Sequence, residues 1–293
     1  MPHSYYQVAV MVILFLSCSP SKEISYGVVG MDLGNAHSCL FTDTVVDCWG
    51  GNLSGESNDV FISPQEISLG AYLSCALSID GTISCWGNNA SGQTDTVGKV
   101  YSSLSCGGNQ CCGISGEELF CWGGGDNNLV FQDPVRSVAV GSGHVCILTS
   151  QGSISCRGND IFGVSSPPSG SFIQISSGDY HACAIAQGGT ISCWGDNQYE
   201  QSIPPPGNFI KLSMGSFHGC GVLENGEGMC WGWNQHGQAS PPDRIWQTIS
   251  SGGYHSCGIV QEGWVECWGQ DSVGQLDIPI EYQVVQSVGQ QDN

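Results

Sequence analysis

Cysteine and histidine are the residues of this chain best suited to chemistry, and both recur at set intervals. Seventeen cysteines and seven histidines stand among 293 residues. Fourteen of the cysteines fall into seven pairs spaced nine or ten apart: Cys39 with Cys48, Cys75 with Cys85, Cys112 with Cys121, Cys146 with Cys156, Cys183 with Cys193, Cys220 with Cys230 and Cys257 with Cys267. Cys106 and Cys111, five apart, make an eighth pair, and Cys18 is left over. Thiolates can hold zinc, but structural zinc favours close C-x₂₋₄-C pairs converging on one ion, and no C-x-x-C occurs here. The wider spacing favours disulfides formed across a turn. Each would close a loop of about ten residues, worth roughly 2–3 kcal/mol in the chain-entropy account. Such bonds belong to an oxidising compartment.

Five histidines, His37, His144, His181, His218 and His255, each follow a recurring glycine by three residues. Successive repeats of a ring are rotated from one another, so these imidazoles cannot all converge on one ion. The expected role is hydrogen bonding to backbone at a tight turn. Paired carboxylates, a nucleophile with its base, and a glycine-rich phosphate loop opening a helix do not stand out. The chain is therefore read as a non-enzyme without metal or cofactor.

What positions these residues is a repeat. The recurring glycine stands at Gly34, Gly70, Gly107, Gly141, Gly178, Gly215 and Gly252, at intervals of 34 to 37. A steady period of this length marks a repeat architecture. Each unit has three short apolar segments, as in "FIQISSG", "HACAI" and "TISCWG" between Phe172 and Gly195. They alternate with the period of two that strands show, and Gln187, Gly188 and Gly189 supply the turn between the second and third. Residues equidistant from such a turn face each other on neighbouring strands, which is where the paired cysteines stand.

One unit cannot bury its own apolar faces, but seven stacked units can. The expected fold is all-β: a seven-bladed β-propeller of about 37-residue repeats, with an intra-blade disulfide per repeat. Six tryptophans of Cys-Trp-Gly (Trp49, Trp86, Trp122, Trp194, Trp231 and Trp268) are expected to pack between blades. The Asn-x-x-Gly-Gln segments read as turns. "YQVVQSVG" (Tyr282 to Gly289) copies the first segment of a unit once more, and is expected to dock beside the first blade and close the ring.

The formal charge is −20, and the six basic residues are scattered. This argues against a nucleic-acid partner, which needs clustered Lys and Arg. Val8 to Leu16 is an apolar run of nine, shorter than the roughly 20 residues that span a bilayer. It fits a secretory signal over 1–18, and "FLSC" resembles a bacterial lipobox that would lipidate Cys18. A tether over 19–27 would then lead into the propeller at 28–289.

With these residues laid out, the pattern G-x-x-H-x-C-x-I…G-x-I-x-C-W-G-x-N-x-x-G-Q resembles the regulator of chromosome condensation repeat superfamily over about 28–289. The repeat length looks closer to the compact bacterial branch typified by β-lactamase inhibitory protein II. The cysteine pairs are extra to that inhibitor's pattern, and resemble secreted bacterial members and the crinkly repeats of plant receptor kinases. Some units depart from the pattern: Arg157 replaces the tryptophan of unit four, and Leu73 and Gln110 replace the histidine of units two and three.

The resemblance implies a binding scaffold that grips a protein through aromatic loops on one propeller face. Aromatics that break the repeat are the candidates: Phe162, Tyr199, Trp233, His236 and Trp264. The expectation is a monomeric, extracytoplasmic scaffold for an unidentified protein, touching membrane only through a lipid on Cys18. A structural envelope protein without a dedicated partner is one alternative. A guanine-nucleotide exchange factor for a small GTPase, as among distant relatives, is another.

Overall fold

The computed structural model of the protein describes residues 27–127 and 129–283. The signal, Cys18, nearly all of the tether, and residues 284–289 of the expected closing segment lie outside the described residues.

Seven antiparallel sheets of three strands follow one another along the chain, each ordered first–second–third. We number them as blades one to seven: 30–50, 64–87, 103–123, 135–158, 172–195, 209–232 and 246–269. Blade five shows why the sequence folds this way. Its strands are Phe172–Ser177, His181–Ala186 and Ile191–Gly195. The Gly178 turn is closed by a bond from Gly178 N–H to the His181 carbonyl, 2.9 Å. Gly189 takes a left-handed φ of 84° in the second turn, where a β-carbon would be strained. This register sets Cys183 opposite Cys193, and the two are joined in a disulfide.

The same staple between second and third strands recurs in every blade. Cys39 is bonded to Cys48 in blade one, Cys75 to Cys85 in blade two, and Cys112 to Cys121 in blade three. Cys146 is bonded to Cys156 in blade four, Cys220 to Cys230 in blade six, and Cys257 to Cys267 in blade seven. In each case the two cysteines are direct cross-strand partners. The offset is nine rather than ten for Cys48 and Cys121, whose hairpins have a turn one residue shorter. The eighth disulfide, Cys106 to Cys111, joins the first and second strands of blade three. The sulfurs of Cys75, Cys106 and Cys111 lie close together, but all three are bonded in disulfides and offer no thiolate to a metal.

The ring closes between blades seven and one. Gly253 N–H donates to the Gly34 carbonyl at 3.1 Å, and Ser250 Oγ donates to the Met31 carbonyl at 3.1 Å. Met31, Leu33 and Trp49 pack with Cys257, Ile259, Val265 and Tyr282 across this seam. Tyr282, the first residue of the expected closing strand, lies instead in a 3₁₀ turn, Ile280–Tyr282, and donates its hydroxyl to Asp47 of blade one.

The recurring glycines form a ring around the axis. A β-carbon on Gly34 would meet the Gly70 carbonyl, one on Gly178 the Gly215 carbonyl, and one on Gly252 the Gly34 carbonyl. The other four face the next blade's backbone in the same way. Each blade therefore approaches the next more closely than any side chain would allow.

The tryptophans hold neighbouring blades together. Each indole N–H donates to a backbone carbonyl in the loop that leads out of the preceding blade: Trp86 to Glu56, Trp122 to Gln93, Trp194 to Val164, Trp231 to Gln201 and Trp268 to Gln238. Trp49 does the same across the seam, to Gln275 at 2.9 Å.

The histidines depart from expectation. The turn is closed by the histidine's backbone carbonyl, whereas in three of the five the buried imidazole bonds a serine of the next blade; for His144 and His181 the serine's position holds Ala182 and Gly219, and their Nε2 atoms have no hydrogen-bond partner among the described residues. His37 Nε2 lies 2.9 Å from Ser74 Oγ, His218 Nε2 2.8 Å from Ser256 Oγ, and His255 Nε2 2.8 Å from Ser38 Oγ. Those serines donate onward to the carbonyls of Glu56, Gln238 and Gln275. Each serine oxygen must then accept from the imidazole, which places the proton on Nε2. Where blade two has Leu73 in place of histidine, blade three has the disulfide-bonded Cys111 in place of serine, and the two pack in one apolar cluster.

Candidate functional site

In a three-stranded blade the first turn and the end of the third strand lie at the same end. Residues just before the histidine and residues in the loop after Cys-Trp-Gly therefore share one face of the ring. On blades five to seven this face carries a continuous group of rings. Trp233 lies at its centre, with ring centroids 5.0 Å from Tyr254, 5.5 Å from His236, 5.7 Å from Tyr199 and 5.9 Å from Phe217. Phe217 also touches Tyr199 edge-on and stacks on Tyr254. The rings touch one another, so they form a platform with no open cage between them.

The loops beneath are rigid. Tyr199 N–H donates to the Gln201 side chain at 2.8 Å, and Ser202 N–H to Asn197 Oδ1 at 3.0 Å. His236 is held alike, by Gln238, and Val273 by Gln275. These glutamines are buried, so the Asn-x-x-Gly-Gln segment is a clamped turn that presents its third residue outward. Tyr199 is 43% exposed.

Tyr199, Trp233 and His236 thus come together. Phe162 lies at the same end, 39% exposed, but packs edge-on against Tyr180 rather than on the platform. Trp264 does not belong. It follows the turn between the second and third strands of blade seven, at the opposite end, and packs against the cluster of Cys220, Val222, Trp246 and Trp268. A repeat-breaking aromatic there fills the blade. Phe217 and Tyr254 were missed because they precede the histidine inside the repeat. The signal was available: that position varies from Ala36 to Asn109 to Gly143, and is aromatic in blades two, five, six and seven.

The axis, by contrast, is concave: a cavity of about 500 Å³ lined by the first strands of all seven blades. Burial pushes the carboxyls of Asp32 and Glu66 up to about 6 and about 7, and raises Asp179 as well. Asp32 and Glu66 are engaged in inter-blade bonds. Leu69 N–H donates to Asp32 at 2.8 Å, and Leu104 N–H to Glu66 at 3.1 Å. Ser68, Ser105, Ser176 and Ser213 accept from the following blade in the same way. This polar lining satisfies strand edges that face one another across blade junctions.

The Regulator of chromosome condensation (RCC1) repeat matches residues 65–93, 135–163, 172–201 and 209–238. No curated protein matches the chain in sequence. Among solved structures, the ectodomain of the Physcomitrella patens receptor kinase CR4 is 26% identical, with a TM-score of 0.71, covering 82% of this chain and 72% of that one. The CRINKLY WD40 ectodomain of the Arabidopsis thaliana receptor kinase ACR4 is 24% identical, with a TM-score of 0.69, covering 82% and 93%. Prp20p of Saccharomyces cerevisiae is 15% identical, with a TM-score of 0.71, covering 88% and 86%.

Proposed function

The chain belongs to the regulator of chromosome condensation repeat superfamily, and from that premise we propose that it is an exported, non-enzymatic scaffold that binds another protein through the aromatic face of blades five to seven. The observation that carries this reading is the platform itself. Five rings from four separate loops are gathered on one end of a closed, disulfide-stapled ring. Aromatic side chains held on rigid loops are the usual anchors of protein interfaces. Prp20p, a fold relative, has been described with its binding to Gsp1p and histones. Eight disulfides and the likeness to a receptor ectodomain support an oxidising, extracytoplasmic site of action. Anchoring through a lipid on Cys18 belongs to the same proposal, as does a monomeric state.

The test is quantitative capture from envelope extracts, with the captured protein then titrated in purified form. Tyr199→Ser and Trp233→Ser are expected to weaken binding by about 30-fold each, the scale of an interface hot spot. Trp264→Ser, at the other end, is expected to leave it unchanged. Binding that ignores the platform variants overturns the platform as the binding face, and capture of no partner at all overturns the scaffold and leaves a purely structural envelope role.

A further inference from the structure

Among the described residues, Glu200 is the sole non-glycine with a positive φ, 65°. It follows Tyr199 directly and occupies the glycine position of the clamped turn. In the five other blades that use this turn the position is Gly55, Gly92, Gly163, Gly237 or Gly274, with φ between 74° and 87°. The turn around Glu200 is otherwise the same: Glu200 N–H reaches the Asn197 carbonyl, as Gly237 N–H reaches that of Asn234. Glycine takes this conformation freely, whereas an L-residue takes it at a cost. Local geometry therefore does not ask for glutamate, and strain of this kind points to a use for the side chain.

The carboxylate is exposed and has no hydrogen-bond or ion-pair partner among the described residues. Of the five described basic residues, Lys99, Arg136, Arg157, Lys211 and Arg244, only Arg244 lies in a loop that carries the platform, at the end of the Trp233 loop next to the first strand of blade seven. Arg244 pairs with Glu266, and Lys211 stands on a first strand beside the axial cavity. Glu200 adjoins the exposed Tyr199 in the same loop, and a free carboxylate next to an aromatic platform is the complement of a cationic side chain. A guanidinium stacks on an aromatic ring and donates in its own plane to a carboxylate.

We propose that Glu200, with the neighbouring Tyr199 and Trp233, forms a subsite for an arginine or lysine side chain of the bound partner. The proposal rests on the scaffold reading and adds to it the chemistry of one contact. The overall charge of −20 favours the same kind of partner.

The test uses a fluorescent peptide alternating arginine with glycine, and the same peptide with citrulline for arginine. The unaltered protein is expected to prefer the arginine peptide by about tenfold, as a charge-assisted contact should. Glu200→Gln and Glu200→Gly are both expected to bring the two peptides within about twofold of each other. Glu200→Gly is also expected to melt higher than the unaltered protein, because the strain is relieved. An arginine preference that survives both variants overturns the subsite, since general attraction to an acidic surface does not depend on one carboxylate. A lower melting temperature for Glu200→Gly refutes the strain premise. Loss of partner binding in Tyr199→Ser, with Glu200 variants that keep the arginine preference, leaves the scaffold reading standing and removes the subsite alone.

Discussion

Gly178→Ala adds one methyl group to a protein of 293 residues, and the geometry makes it costly. The new carbon would lie 2.2 Å from the Gly215 carbonyl oxygen and 2.4 Å from the His181 ring, closer than real β-carbons approach any atom. Gly178 lacks a left-handed φ, so the backbone itself would accept alanine. The penalty comes from these contacts, above all the one with blade six. In an open stack the blades could part slightly. Here the same approach recurs at all seven junctions, including Gly252 against Gly34, so relief at one junction compresses the others. Overpacking of this kind costs about 3 kcal/mol, which lowers Tm by about 6–12 °C for a domain of this size. Gly188→Ala is the control. It lies in the second turn of the same blade with no atom within 4 Å, and is expected to be neutral or slightly stabilising. Calorimetry under non-reducing conditions measures both. A Gly178→Ala protein that melts with the parent would refute the glycine ring as the closest approach of the blades.

Two further outcomes follow from the same structure. Replacing Cys183 and Cys193 together by serine is expected to cost about 2–3 kcal/mol in denaturant titration, and replacing Cys106 and Cys111 about 0.5 kcal/mol less, because the loop is shorter. Acidification should destabilise the fold. Burial lowers His37 and His144 to about 4, and His181, His218 and His255 to about 3, so these rings stay neutral in the native state while the unfolded chain takes up protons from about pH 6.5 downward. Asp32 and Glu66, raised by burial, act in the opposite sense between about pH 7 and pH 4. Asp47 and Asp179, also raised by burial, act the same way. The five imidazoles outweigh the four carboxyls, and the unfolding midpoint should be lower at pH 5 than at pH 7; an equal or higher midpoint contradicts the burial of the imidazoles.

Features set by neighbours within one blade were legible in the sequence. The cysteine spacing carried the register, since a turn fixes which residues oppose each other: Cys230 had to face Cys220, and Cys267 to face Cys257. The inter-blade role of tryptophan followed from its recurrence. The histidine role was less accessible, because its partner stands one repeat away: His37 meets Ser74, and His255 meets Ser38 across the seam. The pattern becomes readable only when the residue after each histidine is compared with the histidine of the preceding unit. The platform was half legible. Repeat-breaking loops pointed to Tyr199, Trp233 and His236, while Phe217 and Tyr254 were hidden inside the motif. Trp264 shows that irregularity alone does not mark a surface, because its side of the turn decides which end it occupies.

The indole clasp runs in one direction around the ring and crosses the seam unchanged, from Trp49 to Gln275. The joint where the chain begins and ends is therefore built like its neighbours, and a permuted chain with new termini between two other blades would keep every clasp. One joint is different. Blade four carries Arg157 in the tryptophan position, and its guanidinium lies over the Phe131 ring without gripping blade three through an indole. The junction between blades three and four is thus the one that goes without an indole clasp, and it leans instead on the Val140 N–H to Ser105 bond and on an apolar seal of Ile114, Val138, Val140 and Ile147.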